Sequence, residues 1–352
     1  MEGLATALQT REYHPGGERD FLGLLNGSLR EGGGAYSEEF WRWKHVDNPY
    51  GVSWGRYAWD DAQGRAAALR VLLRWRFKLP DGSEIQAVRA VDTATHADYR
   101  RSGLFRKLTE TAIADLTAEG CGFIFNTPNA KSLPGYLKMG WAKVAKWPVY
   151  VRVLSPLACL GAAFGSAGAT RAGDDVWGAC FGAGVTPWPK FASTWGGEID
   201  DVVLAWERER TRVGLRTPRD GSYLAWRYGR HPAVKYGFVP VEQDGHLAGF
   251  AILRPNRRFG LREVVLAEVF LRPGEPHAGK RLMSRVVEEA RGDYCVAAGS
   301  LGTREQRLLR GALFFRVPGR GITLTVRSLT RMPIDPASPG SWDLTLGDLE
   351  IF

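Results

Sequence analysis

The chain has 352 residues, of which 44% are apolar, 24% charged and 11% aromatic. This excludes disordered, collagenous and coiled-coil proteins and leaves room for two domains. Lys and Arg number 47 against 38 Asp and Glu, a net charge of +9 without any lysine tract, which suits an anionic ligand as well as it suits nucleic acid.

No apolar run reaches the roughly 18 residues that span a bilayer, and Glu2, Arg11 and Glu12 interrupt what would be a signal segment. A cytoplasmic location is expected. Cys121, Cys159, Cys180 and Cys295 share no C-x-x-C spacing and have no histidine nearby, so neither a metal site nor a disulfide framework is expected.

In chain order, the first marked element is the aromatic helical turn Phe40-Trp41-Arg42-Trp43-Lys44-His45, stopped by Pro49, a residue that disfavours helix before it. Strand-like segments follow at 54–59, 66–79 and 85–95, with the turn Asp81-Gly82 between the last two. A helical period covers 106–116, and then come a short apolar strand at 122–125, a short helix, and a strand at 142–154. Residues 155–189 are rich in Gly, Ala and Pro and read as a connector in which Trp177, Phe181 and Trp188 pack down. The order then repeats. Tyr223-Leu224-Ala225-Trp226-Arg227-Tyr228 echoes the first aromatic turn, with Pro232 again six residues after its tryptophan. Strands at 235–241, 247–253 and 264–271, a helix at 282–290, a strand at 294–298, a helix at 304–312 and a strand at 323–329 follow. The chain therefore reads as α/β, two tandem related halves, each a mostly antiparallel mixed sheet with flanking helices. The expected boundaries are 1–154, a linker at 155–191, a second domain at 192–330 and a tail at 331–352.

The segment carrying chemistry runs from Asp92 to Leu108. A strand ends near His96, a turn follows through Arg100, Arg101, Ser102 and Gly103, and an amphipathic helix begins at Leu104-Phe105-Arg106. Free N–H groups at a helix start, its positive dipole end and adjacent arginines make an anion site, and Gly103 carries no side chain to block the ligand. A phosphate or pyrophosphate is the expected ligand. A Walker loop needs two glycines before Lys-Ser/Thr and a dinucleotide fingerprint needs three; this turn has one, so neither nucleotide hydrolysis nor hydride transfer is favoured.

Arg100-Arg101-Ser102-Gly103-Leu104-Phe105 resembles the Gln/Arg-x-x-Gly-x-Gly/Ala signature of the GNAT superfamily of acyl-CoA-dependent N-acyltransferases, departing from it at Phe105. A second motif, Asn129, Tyr136 seven residues on, then Gly140-Trp141, is similar to the Asn, Tyr, Gly-Phe spacing of many members. The resemblance covers about residues 5–153, and reaches 192–330 only through the order of strands and helices and the tryptophan–proline echo. It implies tandem GNAT-like domains, the first catalytic, with acetyl-CoA or another acyl-CoA as co-substrate. Pantetheine would lie along Thr93-Ala94-Thr95 and the pyrophosphate in the turn from Arg100 to Arg106, with Asn129 as a further cofactor contact.

The acceptor implied is a primary amine of a small molecule, such as an amino sugar or a biosynthetic intermediate, attacked directly in a ternary complex. Tyr136 would be the general acid, since a phenol with an ordinary pKa of about 10 is protonated at neutral pH and can supply the departing thiolate. Asp92 or His96 would accept the amine proton. The plainer alternatives are that Arg100 and Arg101 are solvated charges, Tyr136 a core aromatic and Asn129 a helix cap. Two other functions stay open: a Fem-type aminoacyl transferase using aminoacyl-tRNA, although nucleic acid is not the expected partner, and a non-catalytic tandem protein that binds CoA or another ligand. The oligomeric state is left open.

The second half departs from the pattern. Gly279 precedes its helix but no arginine stands three residues ahead, Pro276 removes a donor, and 304–312 holds no tyrosine, so a degenerate copy is expected. The tail from Ser341 is expected to dock near the acceptor pocket, with Asp348 or Glu350 facing an amine.

Overall fold

The computed structural model describes residues 8–28, 36–164, 175–209, 214–275, 277–299 and 302–349. Its first elements are β1 (Leu8–Glu12), α1 (Arg19–Ser28), α2 (Glu38–His45), β2 (Trp54–Asp60), β3 (Arg65–Lys78), β4 (Glu84–Thr95), α3 (Leu104–Ala118), β5 (Phe123–Asn126), α4 (Leu133–Lys138) and β6 (Ala142–Val153). The strands and helices expected from periodicity are present. β1 and α1 were not foreseen, because Leu8-Gln9-Thr10-Arg11-Glu12 hardly alternates and α1 is short and interrupted by glycines.

Within the stretch read as a connector lie α5 (Pro156–Ala163), α6 (Val176–Cys180) and β7 (Thr186–Pro187), while 165–174 lie outside the described residues. Then come α7 (Trp188–Trp195), α8 (Glu198–Glu209), α9 (Gly221–Leu224) continuing into a π turn, β8 (Gly237–Gln243), β9 (His246–Arg258) and β10 (Leu261–Leu271). The last elements are α10 (Ala278–Glu289), β11 (Tyr294–Ala298), α11 (Thr303–Gly311), β12 (Phe315–Ser328) and α12 (Leu346–Leu349).

The chain forms two compact units. The first comprises Met1–Lys78, Ser83–Val144 and Leu324–Pro339; the second comprises Leu79–Gly82, Ala145–Thr323 and Gly340–Phe352. In the first, the strands stand in the order β1-β2-β3-β4-β5 and then the end of β12. Neighbours are antiparallel except β4 and β5, which α3 joins as a parallel pair. The second unit repeats the scheme as β6-β11-β10-β9-β8-β7, with β10 and β11 parallel and joined by α10. Each unit is thus completed by a strand from the other half of the sequence: Thr325–Ser328 pairs with β5, and Val149–Val153 with β11.

The sheet of the first unit buries both faces. On one lie Trp41, Phe21, Tyr57, Leu69, Val71 and Ala94 under α1 and α2. On the other lie Leu72, Val88, Ala90, Ala112, Leu116, Ile124 and Tyr136 with α3 and α4. From Ala68 to Leu72 β3 alternates between these faces, beyond a bulge of its own at Ala67, but β4 does not alternate throughout. Arg70 faces Thr93 while Leu72 faces Ala90, so β4 carries an extra residue there, a β-bulge. One inserted residue inverts the alternation: Val88 and Ala90 face α3, Asp92 and Ala94 face α2, and Thr93 returns to the α3 side.

Leu72 is fully buried at the centre of the α3 face. Replacing it with alanine is expected to destabilise the protein by about 3 kcal/mol, through lost transfer energy and an unfilled cavity. A lowered denaturant midpoint with an unchanged slope in chemical unfolding checks this.

Candidate functional site

The bulge coincides with the end of a strand pairing. β4 is paired with β5 only from Ala87 to Arg89, and from there runs on to Thr95 beside β3 alone. Thr93, Ala94 and Thr95 therefore lie where the parallel pair has splayed apart, at the end of the sheet nearest the turn into α3. Side chains of Thr93 and Thr95 are half-buried, whereas Ala94 is buried against α2.

Ala97–Tyr99 forms a single 3-10 turn capped by His96. Arg101 has φ 66° and Gly103 φ 82°, two left-handed residues that turn the chain into α3. A left-handed conformation costs glycine nothing, which is why Gly103 stands at the N-cap. The first bond of the α3 ladder runs from the Lys107 N–H to the Gly103 carbonyl, so the N–H groups of Leu104, Phe105 and Arg106 precede it. No side chain caps them, and no acidic residue stands in the first turn. Arg100, Arg101 and Ser102 are exposed around this opening. The guanidinium of Arg106 is paired with Glu110 at 2.7 Å and directed along the helix instead. A concave array of free backbone donors beside two arginines is the arrangement that binds a phosphate oxyanion.

Tyr136, brought up by α4, is 6% exposed and packs edge-on against Phe105 at 6.1 Å and at a tilt against Trp141 at 5.3 Å. Phe105, the residue that departs from the glycine-rich signature, thereby packs against the tyrosine ring. The hydroxyl of Tyr136 accepts a hydrogen bond from Arg70 Nη1 at 3.0 Å, and the same nitrogen donates to Thr93 Oγ1 at 2.6 Å. Arg70, from β3, is fully buried and lies over the rings of both Phe105 and Tyr136. Sequence reasoning did not single it out; an arginine amid Ala66-Ala67-Ala68-Leu69 and Val71-Leu72-Leu73 was the available signal.

The other predicted residues are engaged elsewhere. Asp92 is 5% exposed and on the opposite face of the sheet from Thr93. Its carboxylate receives Lys44 Nζ at 2.8 Å, His45 Nε2 at 2.8 Å and the hydroxyl of Tyr36. Burial pushes its carboxyl up, but the Lys44 ammonium and the His45 hydrogen bond outweigh it and hold the group below the usual carboxylate range. Burial likewise pushes the His45 imidazole down, leaving it neutral. Because a carboxylate only accepts, Nε2 of His45 carries the proton and Nδ1, 2.9 Å from Ser53 Oγ, accepts. His96 has Arg65 Nη1 at 3.1 Å from Nε2 and the Asp98 N–H at 3.3 Å from Nδ1. Asn129 is exposed, and its Oδ1 receives the N–H groups of Lys131 and Ser132 in the turn before α4, whose N-cap is Ser132 and not Asn129. The structure thus gathers Thr93, Tyr136 and Phe105 around Arg70, and does not bring Asp92 or His96 into that group.

In the second unit the equivalent of Gly103 is His277, left-handed at the N-cap of α10, while Gly279 lies inside the helix against Leu308. Pro276 lies outside the described residues. The tail forms a short 3-10 turn and α12, and Asp348, expected to face an amine, is buried against Arg219 at 2.8 Å beside Glu268 and Thr345. Glu350 lies outside the described residues. Among the described residues no group of His, Cys, Asp or Glu could hold a metal ion, and no helix is long and apolar enough to cross a membrane.

Residues 10–144 match the family model described as an acetyltransferase (GNAT) domain. No curated protein matches the chain in sequence. Solved structures share its fold over nearly the whole length. A probable N-acyltransferase from Enterococcus faecalis has 12% identity and a TM-score of 0.62, covering 92% of this chain and 73% of its own. A GCN5-related N-acetyltransferase from Anabaena variabilis has 10% identity and a TM-score of 0.58 with the same coverage. An N-myristoyltransferase from Saccharomyces cerevisiae, solved with bound myristoyl-CoA, has 15% identity and a TM-score of 0.59, covering 98% of this chain and 88% of its own.

The Asp92 cluster has a pH signature. A carboxyl whose folded pKa is depressed contributes stability above its unfolded value, about 4, and loses it as pH falls below that value. Asp92→Asn is expected to cost about 3 kcal/mol at pH 7 by leaving Lys44 buried without its counter-charge. It is also expected to flatten the fall in stability below pH 4. Urea unfolding midpoints of both proteins between pH 3 and 8 check the pair of expectations.

Proposed function

We propose, from the match of residues 10–144 to the acetyltransferase (GNAT) domain model, that the protein is an acyl-CoA-dependent N-acyltransferase that moves an acyl group, acetyl first among the candidates, to a primary amine of a small molecule. The observation that carries this reading is the opening at α3: free N–H groups of Leu104, Phe105 and Arg106, no acidic residue, and Arg100 and Arg101 at the rim, at the end of a splayed strand. A diphosphate suits the first part and an extended amide-bearing arm suits the second, and coenzyme A joins the two.

In this reading the pyrophosphate sits on α3 and pantetheine pairs with the free edge of Thr93-Ala94-Thr95 as an added strand, which places the thioester toward Tyr136. The neutral amine attacks the thioester carbon. The C–N bond forms, the C–S bond breaks, and the phenolic proton of Tyr136 passes to the thiolate. The nitrogen sheds its extra proton, which restores the phenol through solvent. Asp92 acts as the buried anion that ties α2 to β4, since its carboxylate is held ionised by Lys44 and His45 and is a weak base. His96 caps the 3-10 turn that leads into the anion site. Asn129 shapes the approach to α4.

Calorimetry with acetyl-CoA and longer acyl-CoAs, followed by mass-spectrometric screening of amines, tests the proposal. Binding that weakens on Gly103→Val or on double replacement of Arg100 and Arg101 by serine, and steepens in its salt dependence with the arginines present, is expected. Tyr136→Phe is expected to lower kcat by about 100-fold or more while leaving acyl-CoA binding within a few-fold. A chain that binds no acyl-CoA ends the proposal, and salt-sensitive binding of aminoacyl-tRNA in its place supports the aminoacyl-transferase alternative.

A further inference from the structure

We propose that Arg70 is the positioning residue that turns Tyr136 into a one-way proton donor; the inference rests on the acyltransferase reading above and adds a residue to its chemistry. The guanidinium is 0% exposed, yet no carboxylate pairs with it among the described residues. Its Nη1 holds Thr93 Oγ1 and the Tyr136 hydroxyl, while Nε and Nη2 have no acceptor. A buried cation without a counter-charge is expensive and is kept only where something else uses it. The rings of Phe105 and Tyr136, with centroids 5.2 and 5.5 Å from the guanidinium carbon, supply part of the compensation.

The direction of the hydrogen bond decides the chemistry. A guanidinium has donors only, so the oxygen of Tyr136 must accept, and the phenolic proton must point elsewhere. Among the described residues that proton has no acceptor, although the ring is 6% exposed. Tyr136 is therefore held with its one proton available to an incoming sulfur and cannot spend it on a protein neighbour. When the thiolate takes the proton, the phenolate left behind has a fixed positive charge 3.0 Å away, so charge develops toward a partner already in place. The same nitrogen grips Thr93 on the free edge of β4, which couples the position of the acid to the strand along which the thioester would lie. Thr93 in turn donates to the Val91 carbonyl at 3.2 Å, inside the bulge, so the bulge is what presents the threonine to Arg70.

The test compares wild type with Arg70→Lys, Arg70→Gln, Tyr136→Phe and the Gln/Phe double variant, each first shown by thermal melting to be folded. The first readout needs no acceptor: calorimetric affinities for CoA and for desulfo-CoA, which lacks the thiol. Wild type is expected to favour CoA several-fold through the phenol-to-sulfur bond; Tyr136→Phe should abolish the preference, Arg70→Gln should reduce it toward unity, and Arg70→Lys, which keeps a donor and a charge, should restore part of it. The second readout is turnover of acetyl-CoA with whichever amine the screen identifies. Arg70→Gln should lower kcat by about 100-fold with KM for acetyl-CoA changed little, and the double variant should be no slower than the slower single one. If CoA binds and the preference and kcat of Arg70→Gln match those of wild type, the inference is overturned while the acyltransferase reading stands. If Arg70→Gln and Tyr136→Phe effects multiply, the two side chains act independently and the inference is likewise overturned. If neither CoA nor desulfo-CoA binds wild type, it is the acyltransferase reading that fails.

Discussion

The separation of β4 from β5 after Arg89 is the constraint around which the first unit is arranged. A strand inside a sheet normally satisfies both edges, and leaving one edge unpaired carries a cost that the surroundings must support. Here the support comes from both faces. On one, Asp92 is clamped by Lys44, His45 and Tyr36, which pins the strand to α2. On the other, Arg70 ties Thr93 to the tyrosine on α4. The bulge makes both possible at once, because adjacent residues in this stretch serve opposite faces out of the phase set by Val88 and Ala90.

The two kinds of buried charge in this region behave differently. The Asp92–Lys44 pair is a closed system whose partners satisfy each other and whose carboxyl is held ionised below its ordinary range. Arg70 is an open one, compensated by ring faces and two hydroxyls and retaining free donors. Closed pairs mainly specify structure, whereas open ones mark places where a changing charge can be accommodated. At the matching place in the second unit, Glu268 beside its own bulge forms a closed network with Arg219, Tyr228 and Thr345. The C-terminal tail supplies Thr345 and Asp348 to that network, so the aspartate expected to face an amine is instead part of the second unit's interior.

The repetition of the two halves was visible because each repeat sets its own local chemistry: an aromatic helical turn cut by proline, hairpin strands of alternating residues, an amphipathic helix, and a short apolar strand. Periodicity and turn residues act over a few positions, so a linear reading captures them. The turn proposed to bind an anion was legible for the same reason. A glycine in a left-handed turn with flanking arginines before an amphipathic helix is a contiguous signal, and the free N–H groups of α3 follow from helix geometry alone. Tyr136 was found through its spacing from Asn129 and from Gly140-Trp141, without any knowledge of what its hydroxyl would meet.

What the sequence by itself determined is therefore the order of elements, the α/β class and the cationic turn, all products of interactions between near neighbours in the chain. The tertiary structure alone decided which side of the sheet each residue of the bulged strand serves, since one extra residue inverts an alternation that otherwise places Asp92 beside Ala90. It also decided the partnership of Arg70 with Tyr136, 66 positions apart, and the completion of each unit by a strand from the other half of the chain. These outcomes depend on long-range register and on the cost of burying charge, and neither is written in any local stretch of residues.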